Sequence, residues 1–169
     1  YSYAWENRRC YDEDWRRKRV KYSVQIKKLP HAAQLPLPQK MSSLASGFDL
    51  YAAIDEKITL NPGERLLIPT GIALSMPAAL EAQIRPRSGL AYKQGITALN
   101  SPGTIDADYR GEIKVLLINH GTEPFVMEHG DRIAQMVFQE VPIVVIEEVE
   151  ELTETERGQG GFGHTGIKN

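Results

Sequence analysis

Apolar residues in this chain recur at every second position or in short runs, and seldom at the three-to-four spacing of a helix. From Tyr22 onward these segments are brief and punctuated by proline and glycine. Asn61-Pro62-Gly63 reads as a turn, and Leu66 to Ile68 and Ile72 to Leu74 are strand candidates flanking a Pro69-Thr70-Gly71 break. Glu112-Ile113-Lys114-Val115 alternates before running into Leu116-Leu117-Ile118, which predicts a strand exposed at one end and buried at the other. His129-Gly130-Asp131 precedes a further strand, Arg132 to Gln139, and Val141 to Val149 is a β-branched run with Pro142 near its start. The helix that the pattern favours is short: Ser88 as N-cap, Leu90-Ala91-Tyr92-Lys93 as body, Gly95 as stop. Many short strands with frequent turns predict an all-β barrel or sandwich, and no internal repeat is present.

Composition narrows the class of protein. At 169 residues the chain can hold one domain with a real core, plus extensions. A net charge of −2 gives no bulk reason to expect stable nucleic-acid binding or a membrane surface. The lone cysteine, Cys10, excludes an internal disulfide framework and fits a reducing, cytoplasmic setting. No apolar run approaches the ~20 residues of a membrane span, and no signal-peptide core is visible. There is no CxxC, HExxH or histidine cluster to build a zinc site. Residues 1–20 stand apart: Tyr1, Tyr3, Trp5, Tyr11 and Trp15 alternate with Arg8-Arg9 and Arg16-Arg17-Lys18-Arg19. Such a stretch can bind nucleic acid or a partner, but it reads first as an extension without a core. The expected division is 1–20 extension, 21–152 β-barrel and 153–169 C-terminal arm.

Several segments carry polar groups that a plain barrel does not need. In Gln83-Ile84-Arg85-Pro86-Arg87, alternation puts Gln83, Arg85 and Arg87 on one strand face. The following helix start offers free N–H groups and a positive dipole end, and Gly89 lets an anion approach the backbone. With Arg87 and the Ser88 hydroxyl, this is either a phosphate cradle or an ordinary capped turn. Further on, Pro102-Gly103 and Gly111 bracket an irregular hairpin-like loop carrying Asp106 and Asp108. The two carboxylates point the same way if the backbone is extended, and one can then activate a water; the alternative is turn chemistry on a solvated face. Asn100 has the donors and acceptor to read a base edge, while Tyr109 is otherwise a core residue. Asp49, among apolar neighbours, and Gln135, between Ile133 and Val137, each need a partner, either a ligand or the backbone. Finally, five of the ten residues from Arg157 to Gly166 are glycine, yet Arg157 and Phe162 stand among them. A guanidinium forks onto phosphate oxygens and a ring stacks on a base, so this end is either a loose arm that closes over a nucleotide or a flexible linker.

In order, these segments resemble the five motifs of the homotrimeric dUTPase family. They are Asp49 within Ala45-Ser46-Gly47-Phe48-Asp49-Leu50-Tyr51-Ala52-Ala53, then Pro86-Arg87-Ser88-Gly89-Leu90-Ala91, then Gly103-Thr104-Ile105-Asp106-Ala107-Asp108-Tyr109-Arg110-Gly111, then Arg132-Ile133-Ala134-Gln135, then the glycine-rich arm. The resemblance implies a jelly-roll-like β-barrel with one short helix and a flexible arm. It also implies a homotrimer with shared active sites, in which the arm of one subunit caps a site made by the other two. The implied reaction is hydrolysis of dUTP to dUMP and diphosphate, with Mg²⁺ bound mainly through the triphosphate. Such an enzyme limits uracil incorporation into DNA and supplies dUMP for thymidylate synthesis.

By position, the resemblance makes Asp106 the base that activates water. Asn100 and the backbone of Thr104, Ile105 and Asp106 would read uracil, with Lys114 lining the pocket. Tyr109 would pack on the deoxyribose and exclude a 2′-hydroxyl, while Arg87, Ser88, Gly89 and Gln135 would hold phosphates. In the arm, Arg157 would grip the γ-phosphate and Phe162, with Gly163 beside it, would cover the base; Asp49 would be an outer-shell support for the metal. His164 departs from the serine common in the family and adds a pH-sensitive charge. A dCTP deaminase is the neighbouring alternative, expected to carry a different serine/arginine motif and a catalytic glutamate. A non-catalytic dUTPase-fold protein that binds a regulator through residues 1–20, and a plain β-barrel interaction domain, are the others.

Overall fold

The computed structural model describes residues 21–160. The expectations for the extension and for Phe162, Gly163 and His164 therefore lie outside the described residues. Among those described, eleven strands and one short helix form: β1 (Gln25–Lys28), β2 (Phe48–Tyr51), β3 (Ile58–Leu60), β4 (Arg65–Pro69), β5 (Ile72–Ser75), β6 (Leu80–Arg85), α1 (Ser88–Gln94), β7 (Ile96–Ala98), β8 (Gly103–Ile105), β9 (Lys114–Asn119), β10 (Phe125–Met127) and β11 (Arg132–Glu140). All pairings are antiparallel, and each joins strands that are not neighbours in the chain. One sheet runs β2-β11-β6-β8, a second β4-β9-β7, and two ribbons pair β1 with β5 and β3 with β10. This is the jelly-roll-like β architecture that the sequence led us to expect.

Alternation does most of the work of placing side chains. In β6, Leu80, Ala82 and Ile84 point into the core, leaving Glu81, Gln83 and Arg85 on the other face. Residues from each sheet meet in one core, with Leu50, Ile68, Ile96, Val115, Leu117, Ile133 and Met136 all essentially inaccessible. Each such side chain contributes about 1.5–3 kcal/mol of burial. Strand β9 differs from expectation, because its alternation continues to the end: Val115, Leu117 and Asn119 are buried, while Leu116 and Ile118 are half-buried. Asn119 sits fully inside because its amide donates to Leu60 O and Glu123 O, at 2.9 and 2.8 Å, and its carbonyl accepts from Gly121 N at 2.8 Å. Every polar end is satisfied, so burial is tolerated.

Helix α1 begins one residue earlier than expected, at Ser88 itself. Arg87, extended at φ −87° and ψ 124°, takes the cap position without a side-chain capping bond, and Ser88 is the first helical residue. Gly95 ends the helix in the left-handed region at φ 69°, its N–H reaching Ala91 O. A Cβ on Gly95 would stand 2.4 Å from Gly121 N, so this corner admits only glycine. Beyond β11 the β-branched run Val141 to Val149 pairs with no strand among the described residues, and Ile143, Val144, Val145 and Ile146 are strongly exposed. No helix among the described residues is long and apolar enough to cross a membrane.

Candidate active site

The sheet register assembles a first polar cluster. Gln135 on β11 stands opposite Asp49 on β2 and Arg85 on β6, so three strands bring their polar residues to one level. Asp49 is only 8% exposed, and its burial is answered by cations. Arg132 Nη1 donates to Asp49 Oδ2 at 3.0 Å, and Arg87 Nε lies 3.6 Å from Oδ1. Arg87 also donates to Arg132 O at 3.0 Å. Gln135 finds a backbone partner: its amide donates to Pro86 O at 2.9 Å, and its Oε1 lies where a Cβ on Gly47 would be. Gly47 is thus the space into which that amide folds. Together these bonds hold the Pro86-Arg87-Ser88 turn in place, leaving Ser88 and Gly89 exposed at the first turn of α1. The shared face predicted for Gln83, Arg85 and Arg87 holds in part. Arg85 bonds Gln83 Oε1 through Nε and Nη2, at 3.1 and 2.6 Å, but β6 ends at Arg85 and Arg87 swings towards Asp49.

A second group gathers around the β8–β9 loop. Leu67, Thr104, Ile105, Asp106, Tyr109, Glu112 and Lys114 line a cavity of about 260 Å³. Strand β8 pairs with β6, Thr104 opposite Gln83, which sets the near wall. The chain then turns, Tyr109 N donating to Asp106 O at 3.1 Å. Because 106–109 is a turn and not extended, Asp106 and Asp108 lose the parallel placement that extension would give them, and Asp106 alone lines the cavity. Tyr109 is not a core residue: it is 45% exposed and lies across Gly111. Asn100 stays outside the lining, its amide packed near Gly103.

The two groups do not merge within one chain. None of Asp49, Arg87, Ser88, Gly89 or Gln135 lines the cavity that holds Asp106. Arg157 is far along the exposed arm, where its Nε donates to Gly160 O at 2.8 Å within a local turn. A larger cavity of about 620 Å³, between β1 and β11, is lined by Tyr22, Ile26, Phe48 and Phe138 and contains no candidate catalytic group.

Two participants were not singled out from the sequence. Arg132 is the partner that Asp49's burial demanded, and its position at the start of the strand carrying Gln135 was the available signal. Glu112 stands two residues before Lys114, which by alternation reads as a solvated charge, but its carboxylate turns inward to His31 and Gly71.

The dUTPase family model matches residues 33–166. A deoxyuridine 5'-triphosphate nucleotidohydrolase from Wolbachia pipientis subsp. Culex pipiens is 55% identical over 150 residues, covering 88% of this chain and 98% of that protein. One from Caldanaerobacter subterraneus subsp. tengcongensis is 57% identical, covering 85% and 97%. Among solved structures, the dUTPase of Staphylococcus bacteriophage 80alpha with dUPNHPP aligns at a TM-score of 0.75 and 26% identity, covering 86% of this chain and 99% of that one. The fold is therefore that of a nucleotide hydrolase. The chain belongs to the dUTPase family.

Proposed function

We propose that this dUTPase-family enzyme, a dUTP diphosphatase, hydrolyses dUTP to dUMP and diphosphate, with Asp106 activating the attacking water at the α-phosphorus. The observation that carries the reading is the division of labour between two groups. A guanidinium-rich turn suited to phosphates follows β6, and a small pocket suited to a base and sugar begins at β8, its neighbour in the sheet. At the phosphate end Arg87, Ser88 and Gly89 supply charge and open backbone N–H groups, Gln135 fixes their turn, and Asp49 holds Arg87 and Arg132 in place as an outer-shell support. At the base end, Thr104, Ile105 and Asp106 present backbone to uracil, Lys114 lines the wall and Tyr109 faces the deoxyribose, while Asn100 stands behind Gly103 and would reach the base edge only by turning towards it. The exposed carboxylate of Asp106 takes the proton of the water as the water attacks.

Among the described residues no three His, Cys, Asp or Glu side chains converge to cage a metal. The exposed carboxylate of Asp106 would be the protein group nearest an Mg²⁺ ion arriving on the triphosphate, with Asp49, paired to Arg132 and Arg87, acting only from outside its coordination shell. When bound, the ion neutralises phosphate charge.

The oligomer we propose is a homotrimer with shared sites. Support comes from the separation of the two clusters, from Leu67 standing exposed beside the base pocket, and from the exposed β-branched run at 143–146, which finds no cover among the described residues. Arg157 and, beyond the described residues, Phe162 and Gly163 would then close over a neighbour's site. In the cell this activity removes dUTP before it reaches DNA and supplies dUMP for thymidylate synthesis.

The test is a nucleotide panel with Mg²⁺. Diphosphate is released from dUTP and not from UTP or dTTP, since a pocket packed at C5 and C2′ has no room for a methyl or hydroxyl. Asp106→Asn abolishes turnover yet still binds dUpNHpp. Turnover by that variant at the parent rate would remove Asp106 from the mechanism.

A further inference from the structure

We infer that Glu112 is a positioning residue that fixes the Tyr109 ring, and through it the choice of sugar, by tying the end of the β8–β9 loop to two neighbouring turns. The inference rests on the reading of Tyr109 as the ring that faces the deoxyribose.

Tyr109 is not held by burial. Nearly half of it is open, and its ring lies so close over Gly111 that a Cβ there would be 2.4 Å from the phenolic oxygen. The ring is fixed by one hydrogen bond, from its hydroxyl to the backbone oxygen of Glu112 at 3.1 Å. Its pose is therefore as firm as that carbonyl.

The carbonyl is firm because the Glu112 side chain is anchored. That side chain is 16% exposed, turned inward where a surface glutamate would extend into water. Its Oε1 accepts from Gly71 N at 2.9 Å and from His31 Nε2 at 2.8 Å, and its Oε2 lies 3.9 Å from Lys114 Nζ. Neither anchor is soft. Gly71 sits at φ 66° in the β4–β5 turn, so close to the Pro30–Ala32 turn that its own Cβ would stand 2.0 Å from that of Ala32. Thr70, beside it, donates through Oγ1 to Ile113 O at 2.6 Å, locking the next residue of the loop. One carboxylate thus joins the His31 turn, the Gly71 turn and the start of β9, while its own backbone carries the tyrosine. Bonds to a charged acceptor are stronger than neutral ones and set direction as well as distance, which suits a positioning role. Without the carboxylate, residues 109–112 are free to shift, the ring tilts, and the edge that meets C2′ opens.

The experiment compares Glu112→Ala, Glu112→Gln, Tyr109→Ala, Tyr109→Phe and the double variant Glu112→Ala/Tyr109→Phe in the full chain. It reads kcat and KM for dUTP, Ki for UTP as competitor, calorimetric Kd for dUpNHpp, and Tm. Glu112→Ala raises KM and the dUpNHpp Kd about tenfold while kcat falls less than about threefold, the signature of lost binding rather than lost chemistry. The preference for dUTP over UTP narrows by about tenfold as the sugar wall loosens. Glutamine at 112 keeps an acceptor for Gly71 and His31 and restores most of that preference. Adding Tyr109→Phe to Glu112→Ala changes little more, because both break one connection. Equal weakening towards dUTP and UTP, or a glutamine variant no better than alanine, overturns the inference. Tyr109→Ala separates its failure from that of the underlying reading. If Tyr109→Ala collapses the sugar preference and Glu112→Ala does not, only the role of Glu112 falls. If Tyr109→Ala leaves the preference intact, the sugar-facing reading of Tyr109 falls with it.

Discussion

Replacing Asp49 with asparagine removes one charge at nearly constant volume and leaves two guanidiniums facing each other across the phosphate end. The cost can be worked from the contacts. Asp49 accepts one good bond from Arg132 at 3.0 Å and has a looser ion contact with Arg87 at 3.6 Å. A hydrogen bond to a charged group contributes about 1.5–3 kcal/mol. Asp49 itself is buried, but the Arg132 and Arg87 side chains are 39% and 27% exposed, so water recovers part of the loss. Asparagine still accepts one bond, which lowers the net further. A destabilisation of about 2 kcal/mol remains, and in a chain of this size it lowers Tm by about 4–8 °C. Thermal unfolding should be compared at one protein concentration, because association would otherwise move the midpoint. A cycle with Arg132→Met and the double variant isolates the pair, with an expected coupling of about 1 kcal/mol. Arg87 also loses a constraint, so KM for dUTP rises. An Asp49→Asn protein that melts within about 1 °C of its parent, with additive effects in the cycle, would refute the claim that this ion cluster orders the phosphate end.

Other outcomes follow from single contacts. Asn119→Ala strands Leu60 O, Glu123 O and Gly121 N inside the protein and costs about 3 kcal/mol or more by denaturant unfolding. Gly111→Ala drives the Tyr109 ring from its place, so KM for dUTP rises with little change in Tm; an unchanged KM would show that the ring does not touch substrate. Lys57 hydrogen-bonds Glu128 and holds its carboxyl below the usual carboxylate range, while Glu128 raises the Lys57 ammonium. The pair's contribution is therefore present at neutral pH, lost as pH falls through the lowered Glu128 value, and lost again as it rises through the raised Lys57 value. NMR titration of Glu128 in Lys57→Met returns that carboxyl upward.

What could be read from the chain and what could not divides along physical lines. Strands β4, β5, β9 and β11 announce themselves because alternation and proline or glycine breaks act locally. Ser88 has the chemistry of a cap, yet Pro86 and the pull of Asp49 on Arg87 put the true cap of α1 one residue earlier. Asp49 needed a partner on energetic grounds, but naming Arg132 requires the β2–β11 register, a tertiary fact. Glu112 shows why alternation fails at a loop: its neighbours across space, His31 and Gly71, are about 80 and 40 residues away in sequence, and no local pattern brings them together. Asp108 erred in the opposite direction, because a two-residue spacing means a shared face only where the backbone is extended.

The most direct test of a site divided between subunits is complementation. Arg87→Ala and Asp106→Asn proteins, each inactive alone, are mixed in equal amounts under conditions where subunits exchange, with mixed assemblies verified by distinct masses. If the phosphate turn and the catalytic carboxylate of one site come from different subunits, random mixing makes about a quarter of the sites intact, and dUTP hydrolysis returns to about a quarter of the parent rate. Mixed assemblies that remain inactive would mean both residues serve the same site from one chain, and the shared site would be wrong.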